Sequence, residues 1–170
     1  MKGSVMKRNT ALTLGLLLAL SLPGISLADD DEGSSQLRPA TNANWKAECA
    51  SCHMAYHPGL LPARSWRKMM GGLDKHFGQD ASLEPIPQKD ITNFLVKHSA
   101  DQSNVKYAKS VPAASTPLRI TETTWFKREH DEVRAAVWKR KKIGSASNCM
   151  VCHKGAEQGD FAEDKVAIPR

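Results

Sequence analysis

Cys49-Ala50-Ser51-Cys52-His53 and Cys149-Met150-Val151-Cys152-His153 are the two runs on which the reading of this chain turns, and together they use all four of its cysteines. Each is a Cys-x-x-Cys-His pattern, the spacing that attaches a c-type haem. Two thiols one helical turn apart can bond the two vinyl groups of one porphyrin, and the adjacent imidazole then becomes the proximal ligand of its iron. One such run could arise by chance. Two that leave no cysteine over predict two haem c groups, with Cys49, Cys52, Cys149 and Cys152 as covalent anchors and His53 and His153 as proximal ligands.

Competing uses of the cysteines fit less well. Zinc ribbons set their paired cysteines about 15–20 residues apart, whereas 96 residues lie between Cys52 and Cys149. A disulfide within each pair, or a thioredoxin-like dithiol, gives no purpose to the histidine that follows both pairs.

The amino-terminal residues support the same reading. Residues 1–28 combine a basic start (Lys2, Lys7, Arg8), an apolar stretch from Ala11 to Leu22 and a small-residue exit at Ser26-Leu27-Ala28, the layout of a secretory signal peptide. The apolar stretch is short for a bilayer and is broken by Pro23-Gly24, so cleavage before Asp29 is expected rather than an anchor. Because c-type haem is attached outside the cytoplasm, the reading is a periplasmic protein with no membrane span in the mature chain. Lys2, Lys7 and Arg8 account for half of the formal charge of +6. The four propionates of two haems bring the remainder close to neutral, so the basic pI argues for no nucleic-acid partner.

Organisation follows from the chain breakers. Residues 29–35 are acidic and small, a mobile tail. A polar stretch over 100–117, ending in Pro112-Ala113-Ala114-Ser115-Thr116-Pro117, reads as a linker between two units, 36–105 and 106–170, each with one haem motif. Units this small bury little apolar surface from side chains alone, so a macrocycle at the centre of each makes physical sense. The fold class expected is mostly α, as two small haem-centred domains with long irregular connections. Helical spacing predicts a haem-bearing helix from Asn44 to His53. A second runs from Pro62 through Trp66, Met69, Met70, Leu73 and Phe77 to a stop at Gly78, and a third opens at Pro87. In the second unit Phe126, His130, Val133 and Val137 form one helical stripe, followed by a short haem-bearing helix over 148–153.

The sixth iron ligand decides what each haem can do. The 17 residues after His153 contain neither His nor Met, so the second haem must draw its distal ligand from upstream, and His130 lies on the apolar stripe 23 positions before His153. For the first haem, His76 follows His53 by 23 positions and is favoured, with Met69 or Met70 and His98 as alternatives. His57 precedes Pro58-Gly59 in a loop too close to His53 to reach the opposite haem face. Lys139-Arg140-Lys141-Lys142 reads equally as a docking patch or a solvated turn. The tryptophans Trp45, Trp66, Trp125 and Trp138 read as packing rather than electron relays, and Arg64 and Arg119 as propionate partners or plain surface residues.

The runs His53-Met54-Ala55-Tyr56, Gly59 to Trp66 and His76-Phe77-Gly78, then Leu118 to Thr123, Trp125-Phe126, Arg128-Glu129-His130 and Gly155 to Phe161, together resemble the soluble dihaem cytochrome c family over nearly all of the mature chain. The resemblance implies a first domain like a class I cytochrome c, and both irons bis-histidine with His76 and His130 as the distal ligands. It also implies electron donation to an oxygen-binding monohaem cytochrome, often alongside a membrane cytochrome b. His57 and His98 match no ligand position. Six-coordinate iron leaves no open site for a substrate, so the chain is expected to carry electrons and to have no catalytic residues of its own. The alternatives are a small dihaem subunit of a larger oxidoreductase, such as periplasmic nitrate reductase, or a dihaem sensor or peroxidase if one distal ligand is labile.

Overall fold

The computed structural model describes residues 37–102 and 110–170; the predicted signal peptide, the acidic tail and the middle of the predicted linker lie outside the described residues. The architecture is helical, with no strand among the described residues beyond two isolated bridges. Helix α1 (Ala43–Cys49) starts where Asn42 Oδ1 accepts the Trp45 N–H at 2.8 Å, a side-chain cap that satisfies one of the free amides of the first turn. It ends at the first cysteine of the first motif, so Ser51 to His53 form a turn and not the helical end that the spacing predicts.

Helix α2 (Ala63–Met70) follows Pro62, which caps the helix and does not occupy its first turn. Its first amide is taken by a distant residue: Asp101 Oδ2 accepts the Ala63 N–H at 2.6 Å, placing a carboxylate at the positive end of the helix. The predicted continuation to Gly78 does not occur. Gly71 and Gly72, the weakest helix formers after proline, end α2 at Met70, and a single tight turn over Leu73–Lys75 follows. Helix α3 (Pro85–Lys97) opens two residues earlier than predicted, since Pro85 and Pro87 both fall in the first turn, where an amide has no helical partner to lose. Asn42 and Asn44 both donate to Asp90 Oδ2 at 2.9 Å and tie α1 to α3. Between these helices Trp45, Leu61, Trp66, Met70, Ile91, Phe94 and Leu95 form the main buried cluster, with the Trp45 and Phe94 ring centres 5.1 Å apart.

The second half is built differently. Helix α4 (Thr124–Glu129) is capped by Thr123 Oγ1, which accepts the Phe126 N–H at 3.1 Å, and α5 is the single turn Ala135–Trp138. The predicted stripe therefore spans two helices. The chain leaves α4 at His130, where Asp131 and Glu132 would place two carboxylates against the negative helix end. The break does not scatter the stripe, since Phe126, His130, Val133 and Val137 all line one cleft. The predicted haem-bearing helix over 148–153 is a tight turn at Cys149–Val151, closed by the His153 N–H on the Cys149 carbonyl at 2.8 Å.

The described ends of the linker are fastened to the first half. The Ala100 N–H reaches the Leu61 carbonyl, and Arg64 donates to the carbonyls of Val111, Pro112 and Ser115. Arg64 is thus a backbone clamp. The halves also meet directly, where the Leu37 N–H donates to the Gly159 carbonyl at 2.9 Å and Leu37 and Leu60 pack with Ile120, Trp125 and Phe161. Gly159 sits at φ +78°, and a Cβ there would stand 2.8 Å from Leu37 Cβ and 3.2 Å from the His57 ring. Gly144, at φ +74°, has open space around it. Gly144→Ala is expected to cost only the left-handed strain, about 1–2 kcal/mol. Gly159→Ala adds a clash at the contact between halves and should cost about 1–3 kcal/mol more. Denaturant titration of the two holo-variants followed by tryptophan fluorescence checks the order.

Candidate functional site

Two imidazole pairs organise the molecule. The rings of His53 and His76 stand 6.1 Å apart between centres with their planes 27° apart, and those of His130 and His153 stand 6.0 Å apart with planes crossed at 74°. A first-row metal holds an imidazole nitrogen at about 2.0–2.1 Å, so two rings on opposite sides of one ion have centres about 6 Å apart. The pairing joins residues that the sequence places 23 positions apart in each half.

Hydrogen bonds select which histidines keep a free nitrogen. His53 Nδ1 lies 2.7 Å from the Met54 carbonyl and His130 Nδ1 lies 2.8 Å from the Phe126 carbonyl. A carbonyl only accepts, so Nδ1 carries the proton in both rings and Nε2 keeps its lone pair, the arrangement that orients a metal-binding imidazole. His57 is the opposite case. Its Nδ1 accepts the Gly59 N–H at 3.0 Å and its Nε2 donates to the Arg38 carbonyl at 2.9 Å, so both nitrogens are consumed in a residue only 3 % exposed. His57 is a structural brace between the start of the described chain and the turn at Pro58–Leu60.

The other distal candidates are placed elsewhere. Met70 is buried in the main core, Met69 packs against that core, and the His98 ring lies on Phe94 with centres 5.0 Å apart. Burial pushes the His76 imidazole below its ordinary value, helped by His53 and then by Arg119. Burial does the same to His153, helped by His130 and opposed by Asp160. In each ring burial thus favours the neutral imidazole, the form able to bind a metal. No disulfide joins either cysteine pair, and burial pushes the Cys49 and Cys149 thiols up to about 11, which suits neither a thiolate nucleophile nor a dithiol redox pair.

The second pair lines an apolar cleft together with Trp125, Phe126, Val137, Trp138, Ile143 and both cysteines of the second motif. This donor set fits a covalently tethered haem: two thiols on one edge, imidazoles on opposite sides, and aromatic and aliphatic walls for the macrocycle. Trp138 lies 5.8 Å from the His130 ring, as the packing reading of the tryptophans expects, while Trp66 donates its indole N–H to the Pro58 carbonyl at 2.7 Å. Within the basic run, Arg140 donates to the Pro169 carbonyl, and Lys139, Lys141 and Lys142 are exposed.

Two features have no signature in local sequence. Tyr56 places its ring 5.0 Å from that of His53 and donates its hydroxyl to the Ser147 carbonyl at 2.8 Å, reaching across 91 positions to a residue two before Cys149. Phe77, directly after His76, adopts φ +51°, and Arg119 from the second half lies 4.1 Å over its ring centre. Left-handed backbone at a non-glycine residue costs about 1–2 kcal/mol. A cation over an exposed ring returns about 0.5–1 kcal/mol, so the strain is only partly offset.

Comparison with known proteins follows the same lines. Residues 45–161 match the family model described as dihaem cytochrome c. Among curated protein sequences none matches the chain. Two solved structures are similar: a diheme cytochrome c from Rhodobacter sphaeroides, 45 % identical, covering 73 % of this chain and 100 % of its own with a TM-score of 0.67, and a diheme cytochrome type c from Shewanella baltica OS155, 42 % identical, covering 75 % and 93 % with a TM-score of 0.64.

His57 gives a pH prediction. Burial lowers its affinity for a proton below the ordinary value of 6.5, and a proton on Nδ1 would face the Gly59 N–H. Above pH 6.5 the ring is neutral in the folded and unfolded chain and its contribution is complete. As pH falls below that value the unfolded chain gains a proton that the folded chain refuses, and stability falls by up to about 1.4 kcal/mol per pH unit until the folded ring also titrates. His57→Gln, which keeps a donor for Arg38 and cannot titrate, should flatten this slope in denaturation midpoints measured between about pH 7 and pH 5.

Proposed function

This chain belongs to the dihaem cytochrome c family and carries two c-type haems, and from that premise we propose that it passes single electrons between redox partners through two six-coordinate irons. The haem iron supplies the one-electron couple, and everything else is the work of the polypeptide. In this reading Cys49 and Cys52 tether the first haem between His53 and His76, and Cys149 and Cys152 tether the second between His130 and His153, with units 36–105 and 106–170 each enclosing one group.

The observation that carries the reading is the matched spacing of the two imidazole pairs, 6.1 and 6.0 Å, with Nδ1 of one ring in each pair tied to a carbonyl. A ligand held by its second nitrogen is fixed in rotation as well as distance, which resists displacement by small molecules. Iron ligated by protein nitrogen on both sides offers no position to a substrate, so the chain acts as a carrier and not as an enzyme. Paired imidazoles, without the thioether that raises potential, suit low-potential couples. Tyr56, whose ring lies against that of His53 and whose hydroxyl donates to the Ser147 carbonyl two residues before Cys149, links the surroundings of the two sites.

Location and partners complete the proposal. Residues 1–28 direct export, and the carrier works in the periplasm, where haem is attached. No helix among the described residues is long and apolar enough to cross a membrane. An oxygen-binding monohaem cytochrome as acceptor and a membrane cytochrome b as donor fit a low-potential shuttle.

The dithionite-reduced holo-protein should show no change in its Soret band on addition of carbon monoxide. His76→Ala and His130→Ala should each create one carbon monoxide site per chain, and the double variant two. An adduct in the unsubstituted protein would replace the carrier reading with a sensor or peroxidase.

A further inference from the structure

The two imidazole pairs share a spacing but not an orientation: the planes of His53 and His76 are 27° apart, and those of His130 and His153 are 74° apart. Each plane is set by contacts outside the pair. In the first half His76 opens a turn in which both central residues, Phe77 at φ +51° and Gly78 at φ +94°, have positive φ, closed by the Gln79 N–H on the His76 carbonyl at 3.0 Å. This is the backbone sign of a type I′ turn, where Asn-Gly is the favoured pair and phenylalanine a misfit. The misfit places the Phe77 ring edge-on to the His76 ring, with centres 4.8 Å apart, while Arg119 covers the same ring from the second half. Strain of this kind persists where surrounding structure fixes it, and it clusters at ligand clamps.

In the second half the fixing is by stacking. The Phe126 ring lies parallel to the His130 ring, 4.1 Å between centres and 18° between planes, and its own carbonyl accepts from His130 Nδ1. His153 is held across it, its ring edge-on to Phe161 at 5.4 Å. One aromatic residue therefore orients each distal ring, by an edge contact in one half and a face contact in the other.

Orientation matters because each imidazole donates π density to the iron d orbital perpendicular to its own plane. Parallel planes load one of the two dπ orbitals and split the pair; crossed planes load both and leave them nearly degenerate. We propose that the chain makes its two irons electronically unlike through ring orientation, with Phe77, strained and clamped by Arg119, as the positioning residue that keeps the first pair near-parallel, and Phe126 as the residue that keeps the second pair crossed. Near-parallel rings stabilise the ferric iron relative to crossed rings. Ring orientation thus biases the second haem toward accepting an electron first, and it supplies a difference between two sites whose donor atoms are the same.

This rests on the bis-histidine reading, and low-temperature electron paramagnetic resonance of the oxidised holo-protein separates the two. The expected spectrum holds two low-spin species: one rhombic signal with three resolved features, and one strongly anisotropic signal with a single prominent feature at lower field. Phe77→Asn, which suits a left-handed position and removes the ring, should shift or broaden the rhombic signal alone. Arg119→Gln should do the same more weakly. Two signals of one type in the unsubstituted protein, or a Phe77→Asn variant whose rhombic signal is unmoved, would overturn the inference while leaving the ligand assignment intact. A high-spin signal from either iron would instead remove the ligand assignment.

Discussion

The second half of this chain has almost no interior of its own, and the rest of the structure depends on that constraint. Among residues 110–170 the buried apolar side chains are Phe126, Ile143 and Ala156, and Trp125, Val133, Val137, Trp138 and Phe161 line a cleft shared with both cysteines of the second motif. A polypeptide of this size recovers too little from burial to offset the entropy of ordering its backbone. A macrocycle in that cleft changes the balance, because it turns Trp125, Val137 and Trp138 from partly wetted walls into core. The first half differs in degree, with α1, α2 and α3 closing on a cluster of side chains that includes Leu61 and Ile91 with no exposure at all.

The contacts between halves follow from this imbalance. Leu37 and Leu60 belong to the first half by sequence but pack with Ile120, Trp125 and Phe161. His57 braces the same region by spending both ring nitrogens on backbone groups, and Tyr56 beside it reaches Ser147. The segment from Tyr56 to Leu60 thus serves as a shared floor for both halves. Arg119 reaches back in the other direction to cover the loop that carries His76. Each half thus contributes side chains to the surroundings of the other's imidazole pair or cysteine motif.

What the sequence made legible was chemistry carried by residue type and spacing. The two Cys-x-x-Cys-His runs, the helical character and the membership of the family could be read there, and the His76 and His130 rings lie 6.1 and 6.0 Å from those of the motif histidines. Helix ends were less legible where apolar periodicity outlasts the helix. Leu73 continues the period of α2 and stays buried after Gly71 and Gly72 have ended it, whereas Phe77, on the same period, turns outward under Arg119. The Phe126 to Val137 stripe likewise survives a break at His130, since a cleft selects faces and not helices. His57 and Tyr56 could not be assigned in advance, because their partners are backbone atoms 19 and 91 positions away and backbone atoms carry no sequence signature.

The want of a side-chain interior in the second half also bears on how the protein is made. Helices α1, α2 and α3 give the first half a core made of side chains alone. The carboxyl-terminal residues, organised mainly as single turns, have little side-chain core of their own to condense around. Completion of this half is thus tied to its cofactor: the polypeptide supplies walls for an interior but too little to fill one.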